Sequence, residues 1–191
     1  PPGTDARPRG TSYTREEILR PLSGKRDLAN NTDAEGRHSL ADARPDRLEF
    51  TPHVVVGFAT LTGAGMDALG PHTADVMPND DGAAVQWMAA AGDAGEDMWR
   101  LPLPPRLLEQ LKSEIADLRN TGERWGGALT AGLFLKEFVG STPWIHVDLA
   151  GPATATKEWG CHGKGGTGFA VATILQYLRS AATTAAVPAQ K

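Results

Sequence analysis

The hydrophobic positions fall in short blocks between polar or Gly- and Pro-rich breaks, and the spacing inside each block predicts an element. Residues 54–59, VVVGFA, are β-branched and almost continuously apolar, the pattern of a strand buried on both faces, and Thr60-Leu61-Thr62-Gly63 closes it. Asn79 as cap with Asp80 and Asp81 behind it predicts a helix over 79–91, with Gly92 near its end. Pro102, Pro104 and Pro105 give an extended link, after which Leu107, Leu108, Leu111, Ile115 and Leu118 recur at helical spacing as far as Asn120. A turn over 119–127 (RNTGERWGG) leads to a mostly apolar helix over 128–139 and a second buried strand over 144–149. A long Gly-rich loop over 150–168 and a helix over 169–179 complete this part, followed by a small-residue tail over 181–191.

The N-terminal side is weaker in pattern. Residues 1–22 read as a loosely ordered polar arm with a short helix over 14–20, Thr14 serving as N-cap. Residues 23–47 read as a polar loop in which a helix starting at Leu40 is ended by Pro45. Strands separated by helices, with no internal repeat, predict an α/β layered domain.

Composition narrows the class of protein. The chain has 191 residues, 40% of them hydrophobic and 22% charged, which fits one ordinary globular domain with a sizeable core. No apolar run approaches the ~20 residues of a bilayer-spanning helix, so no membrane span is expected. With 19 Lys+Arg against 23 Asp+Glu, there is no general basic field for nucleic acid. Cys161 is the only cysteine, which excludes an intrachain disulfide, and no apolar leader precedes the polar N-terminus; the cytoplasm is the expected compartment. The first residue is Pro1 rather than Met, leaving open whether this is a whole product, a processed form or an excerpt.

The densest chemistry lies in Asn31-Thr32-Asp33-Ala34-Glu35-Gly36-Arg37. In an extended loop, carboxylates two residues apart point to one side, so Asp33 and Glu35 can hold a divalent cation together, with Arg37 gripping an anion beside them. Spacing alone favours a solvated acidic turn neutralised by Arg37, because short D-x-E patterns are common. Residues 59–63, ATLTG, stand at a strand's carboxyl end, where α/β sheets place ligands, although a plain strand-and-turn reading serves equally well. His146 and Asp148 share a strand face and read as a structural pair. The run GKGGTG over 163–168 lacks the order of a phosphate loop, which excludes nucleotide binding through it, and Cys161-His162 has no further Cys partners for a zinc knuckle or an activated thiol.

Taken in order, NTDAEGR at 31–37, LAD at 40–42, ATLTGA at 59–64, ALG at 68–70, ND at 79–80, WRLPL at 99–103, LKSEIADLRN at 111–120, FLKEFV at 134–139, WIHVDLAGPA at 144–153 and GGTGF at 165–169 resemble the leucyl (cytosol) aminopeptidase family. The resemblance reverses the preference for a merely solvated acidic turn. It implies a metal-dependent exopeptidase that releases N-terminal residues, often Leu, with two divalent ions, Zn or Mn, on a three-layer αβα fold with a mostly buried mixed sheet. By this resemblance Asp33 and Glu35 are metal ligands, and Arg37 is the catalytic residue that holds a bicarbonate ion. Thr60, Leu61, Gly63, Ala150 and Ala153 match positions that contact substrate, where small residues leave room for an aliphatic side chain. Peptide substrates and a homo-hexamer are implied as partners.

The departures are equally specific. The family's upstream Lys and Asp ligands have no counterpart in residues 1–22, so the domain is expected over 23–180 and incomplete at its N-terminal side. Gly57 stands for a usual Asp, His38 for an apolar residue, Ala172 for a frequent Arg, and Pro45 interrupts a usual helix. They support an alternative: a truncated, non-catalytic relative keeping the fold as a binding or assembly subunit.

Overall fold

A computed structural model describes residues 13–21, 23–48 and 51–186; expectations for the rest of the arm and for 187–191 lie outside the described residues. Along the chain run β1 (Ile18–Leu19), β2 (Asp27–Leu28), a 3-10 turn (Thr32–Ala34), α1 (Glu35–Leu48), β3 (Val55–Ala59), α2 (Gly63–Leu69), β4 (Ala74–Pro78) and α3 (Asp81–Ala94). They are followed by β5 (Met98–Arg100), a 3-10 segment (Pro105–Leu111), β6 (Leu118–Arg119), α4 (Gly127–Lys136), β7 (Trp144–Asp148), β8 (Thr154–Ala155), β9 (Gly165–Gly166) and α5 (Val171–Ala186).

The main sheet has the order β3-β7-β4-β5. β3 runs parallel to β7, β7 antiparallel to β4, and β4 parallel to β5, so the sheet is mixed, as expected. Alternate residues of β7 feed opposite faces. Ile145 and Val147 join Val76, Trp87, Ala91 and Tyr177 in the core between sheet and α3/α5, while Trp144 joins Leu133, Phe134, Leu135 and Ala41 in the core under α1/α4. Helices therefore cover both faces, giving the αβα layers that the family resemblance implied. β4 and β7 are wholly buried, whereas β3 is half-buried at the sheet's margin, a correction to the both-face burial expected of 54–59.

Several local expectations give way to tertiary pairing. Residues 14–20 form no helix: Glu16 has φ +68°, and the backbone from 16 to 19 pairs with 27–29, Glu16 N donating to Ala29 O at 2.8 Å. The helix expected over 107–120 is only a 3-10 segment to Leu111. Beyond it the Ser113 hydroxyl accepts from Ala116 N at 3.2 Å, and Asp117 accepts from Arg26 N at 2.6 Å. That places Leu118–Arg119 beside β2 in a small sheet ordered β1-β2-β6 and leaves Ile115 exposed.

Other boundaries move for identifiable reasons. α1 begins at Glu35 rather than Leu40 and runs through Pro45, whose missing N–H removes one bond from the ladder without ending it. Asp80 rather than Asn79 caps α3, accepting from Ala83 N at 2.7 Å, and Gly95 at φ +70° ends it. Asn79 instead holds β7, accepting from Trp144 N at 2.7 Å. α5 extends to Ala186, so the expected tail is helical at 181–186. The loop over 150–168 carries the β8–β9 pair.

Candidate active site

The parallel strands β3 and β7 end side by side, and the loops that leave their carboxyl ends hold all five expected substrate positions. One buried carboxylate joins these loops. Asp148, the last residue of β7, accepts through Oδ1 from Leu61 N at 2.8 Å and Ala150 N at 3.1 Å. Through Oδ2 it accepts from Thr62 N at 2.9 Å and the Thr62 hydroxyl at 2.8 Å. Thr62 Oγ1 in turn accepts from Gly65 N at 3.2 Å and so caps α2. Thr60 and Gly63 are exposed, while Leu61, Ala150 and Ala153 are half-buried. Ala153 is fixed from the far side, its carbonyl accepting from Thr167 N at 3.1 Å.

The acidic turn meets this edge from α1. A Cβ on Gly36 would lie 3.6 Å from Leu61 Cδ1, so the NTDAEGR turn and the ATLTG loop are in contact range. Asn31 caps the 3-10 turn by accepting from Asp33 N at 3.0 Å. Asp33 and Glu35 are both exposed, but on a helical turn rather than the extended loop expected, so their side chains do not share a side by strand-like alternation. Arg37 is buried, with Nη1 donating to the Asn120 carbonyl and Nε without a hydrogen-bond partner among the described residues. Burial lowers its pKa to about 10, opposed by the negative charges of Asp148 and Asp27.

Asp75 on β4 sits directly across from Asp148 in the β4–β7 register, and both are buried. Burial, and then the charge of Asp148, push Asp75 up to about 7; burial also raises Asp148, against the hydrogen bonds that favour its ionised form. Asp75 thus keeps its proton when folded at pH values where the unfolded chain, near pKa ~3.9, has released it. Its contribution to stability is full below about pH 4 and is lost as pH rises through about 7. Between pH 5 and pH 8, urea unfolding of the wild type is expected to lose roughly 2 kcal/mol relative to Asp75→Asn, whose amide does not ionise. Parallel pH profiles for the two proteins would contradict this.

Sequence reasoning missed Asp75 and Asn120, and took Asp148 as half of a pair with His146 when its carboxylate serves the two loops. The signal for Asp148 was its place at a strand's carboxyl end. Asn120 had none, because its role depends on β6 lying beside β2.

An αβα fold whose strand-end loops meet an acidic turn places the chain among the layered α/β domains, and comparison with known proteins narrows it. Residues 2–175 match the model of the cytosol aminopeptidase family, catalytic domain. The chain is 48% identical over 164 residues to a probable cytosol aminopeptidase of Rippkaea orientalis, covering 86% of this chain and 33% of that protein. It is 44% identical over 173 residues to one of Aquifex aeolicus, covering 90% and 35%. Among solved structures, a tomato leucine aminopeptidase mutant superposes with TM-score 0.85 at 38% identity, over 90% of this chain and 33% of that one. The bottromycin maturation enzyme BotP, solved in complex with Mn, also gives TM-score 0.85 at 38% identity, over 90% and 39%. The chain belongs to the cytosol aminopeptidase family, and it spans about a third of the length of these curated relatives.

Proposed function

We propose that this chain supplies the acidic turn and the substrate-facing loops of a metal-dependent aminopeptidase that releases N-terminal, leucine-like residues from peptides. The observation that carries it is the convergence of the NTDAEGR turn with the loops after β3 and β7, with Leu61 beside Gly36 and both loops tied to Asp148. In this reading Asp33 and Glu35 are two of the ligands for a pair of divalent ions, Mn or Zn, and Arg37 holds a bicarbonate ion. Such ions, when bound, supply the water activation and carbonyl polarisation that peptide hydrolysis requires. Exposed carboxylates are the right donors for a hard divalent ion. Among the described residues, however, no group of three His, Cys, Asp or Glu side chains converges, so these residues fit only part of a coordination shell.

The chain's own part is to bind and orient. Asp148 holds the Leu61, Thr62 and Ala150 backbone, which sets the shape presented to the peptide by Thr60, Leu61, Gly63, Ala150 and Ala153. Arg37, buried and charged at neutral pH, offers an anion its Nε, which has no hydrogen-bond partner among the described residues. A cytoplasmic setting accords with the relatives' names, and among the described residues no helix is long and apolar enough to cross a membrane. A homo-hexamer belongs to the same reading, as does a catalytic unit over 23–180, to which the family match adds residues 2–22 of the arm.

The test assays the protein together with its upstream sequence on leucine p-nitroanilide with Mn²⁺ and with EDTA. Hydrolysis abolished by the chelator is expected, and Asp33→Asn or Glu35→Gln should reduce kcat by at least ~100-fold, since even outer partners of metal sites are worth 10–100-fold. No chelator-sensitive hydrolysis would overturn the reading. The incomplete donor set favours a second one, a non-catalytic relative keeping the fold as a binding or assembly subunit. Calorimetric titration of this chain with Mn²⁺ discriminates, because tight binding of two ions per chain excludes it.

A further inference from the structure

The side chain of Asn120, fully buried after β6, is bonded at both ends. Oδ1 accepts from Asn30 N at 2.9 Å and Asn31 N at 3.2 Å, and Nδ2 donates to Asn31 O at 2.7 Å. Its backbone carbonyl accepts from Arg37. Three bonds to the 30–31 backbone settle which end of the amide is oxygen, because a flipped amide would turn its NH₂ on two N–H donors. Nδ2 also lies 3.0 Å from His38 Nε2.

That contact dictates the state of His38. A ring nitrogen facing an N–H must offer a lone pair, so in the neutral imidazole the proton sits on Nδ1. His38 Nδ1 is 2.5 Å from Asp27 Oδ2, and Asp27 is fully buried. The contact is an ion-pair approach whose geometry is not that of a hydrogen bond, so a proton on Nδ1 is favoured by the facing Asp27 carboxylate through charge. Burial, the largest cause, leaves Asp27 above the usual carboxylate range, against the opposing contact and charge of His38 and the charge of Arg37. Tyr13 meets the imidazole edge-on at 5.4 Å and Phe134 at 6.3 Å, flanking the ring with aromatic surface.

We propose that Asp27, His38 and Asn120 form a positioning relay in which the Asp27 carboxylate sets the His38 tautomer, His38 anchors the Asn120 amide, and Asn120 holds the backbone leading into Asp33, Glu35 and Arg37. Its catalytic meaning rests on the proposed function. None of the three is a catalytic residue. They act through the turn, and a relay of this kind turns the unusual His38 from a packing defect into the group that orients the clamp. The competing reading is that the pair fills space under α1, in which case an apolar pair of similar size would serve equally.

Two measurements on the chain separate these readings without any assay of hydrolysis. Long-range ¹⁵N–¹H correlation of His38 across a pH series is expected to show the Nδ1–H tautomer in the neutral ring; an Nε2–H tautomer overturns the relay, and this readout needs no substitution. In the paired variant Asp27→Val/His38→Leu, amide exchange at Asn30 and Asn31 should lose about tenfold protection, the worth of one net hydrogen bond, while Ile145 and Val147 on β7 keep theirs. Unchanged protection at Asn30 and Asn31 in a folded paired variant overturns the relay. Because neither readout depends on turnover, failure of the aminopeptidase reading leaves both intact, and failure of the relay leaves that reading intact.

Discussion

Gly65→Ala is expected to destabilise the fold by roughly 2–4 kcal/mol, one of the largest effects of adding a single methyl group to this chain. A Cβ at this position would fall on Asp75 Oδ2 and lie 2.8 Å from its Cγ. The constraint is one of space, since Gly65 is not among the glycines with positive φ. A long flexible neighbour would swing aside. Asp75 cannot do so easily, because its short side chain leaves a buried central strand with Asp148 directly across the β4–β7 pair. Relief therefore requires α2 to move off the sheet, which strains the Thr62 cap and the loop it belongs to. The check is a double-mutant cycle by urea unfolding with Asp75→Ala, which removes the obstructing carboxyl group. The double variant should recover most of the Gly65→Ala loss, a coupling of about 1.5 kcal/mol or more. Additive effects would show that something other than Asp75 fills the space.

The layered fold was legible because its main elements carry their own signals. The run at 144–149 reads as a buried strand and is one, the run at 54–59 forms the expected strand although only half-buried, and the apolar stretch over 128–139 suits no surface helix. Where short segments depend on partners distant in sequence, local pattern misled. Leu107, Leu108 and Leu111 have helical spacing, but the pairing of Leu118–Arg119 with β2 and the Ser113 turn outweigh it. The 14–20 segment likewise found strand partners instead of a helix. For the site, local pattern favoured a solvated acidic turn and a plain strand-and-turn, and only the order of the motifs, through the family resemblance, pointed to the acidic turn and the two loops. The buried groups behind them, Asp75 against Asp148 and the Asn120 clamp, arise only when strands far apart in sequence are laid side by side. His38 shows the same limit: as a sequence departure it reads as a defect, and its neighbours Asp27 and Asn120 come beside it only in the fold.

Asp148→Asn tests whether the carboxylate, rather than the strand end as such, holds the two loops. Each carboxylate oxygen receives two donors, Leu61 N and Ala150 N on one, Thr62 N and its hydroxyl on the other. An amide provides only one acceptor end. Placed with its NH₂ toward Leu61 and Ala150, it would leave two backbone N–H groups facing donors, so the favoured orientation turns the NH₂ toward Thr62. There the hydroxyl can reverse and accept, but Thr62 N–H stays buried without a partner. One orphaned donor costs about 1–3 kcal/mol, offset in part because the amide is easier to bury than a charge and no longer repels Asp75. Arg37 loses an attractive neighbour at the same time. Asp148→Ala removes all four bonds and should cost about 3–5 kcal/mol, in the range for breaking a buried charged network. Amide exchange should reveal the order of events: Leu61, Thr62 and Ala150 lose protection in the Asn variant while Val76 and Ile145 in the central strands retain it. If the Asn variant exchanges uniformly faster at all these sites, the carboxylate supports the sheet as a whole. If it exchanges as the wild type does, the loops are held by packing, and Asp148 is not the group that shapes them.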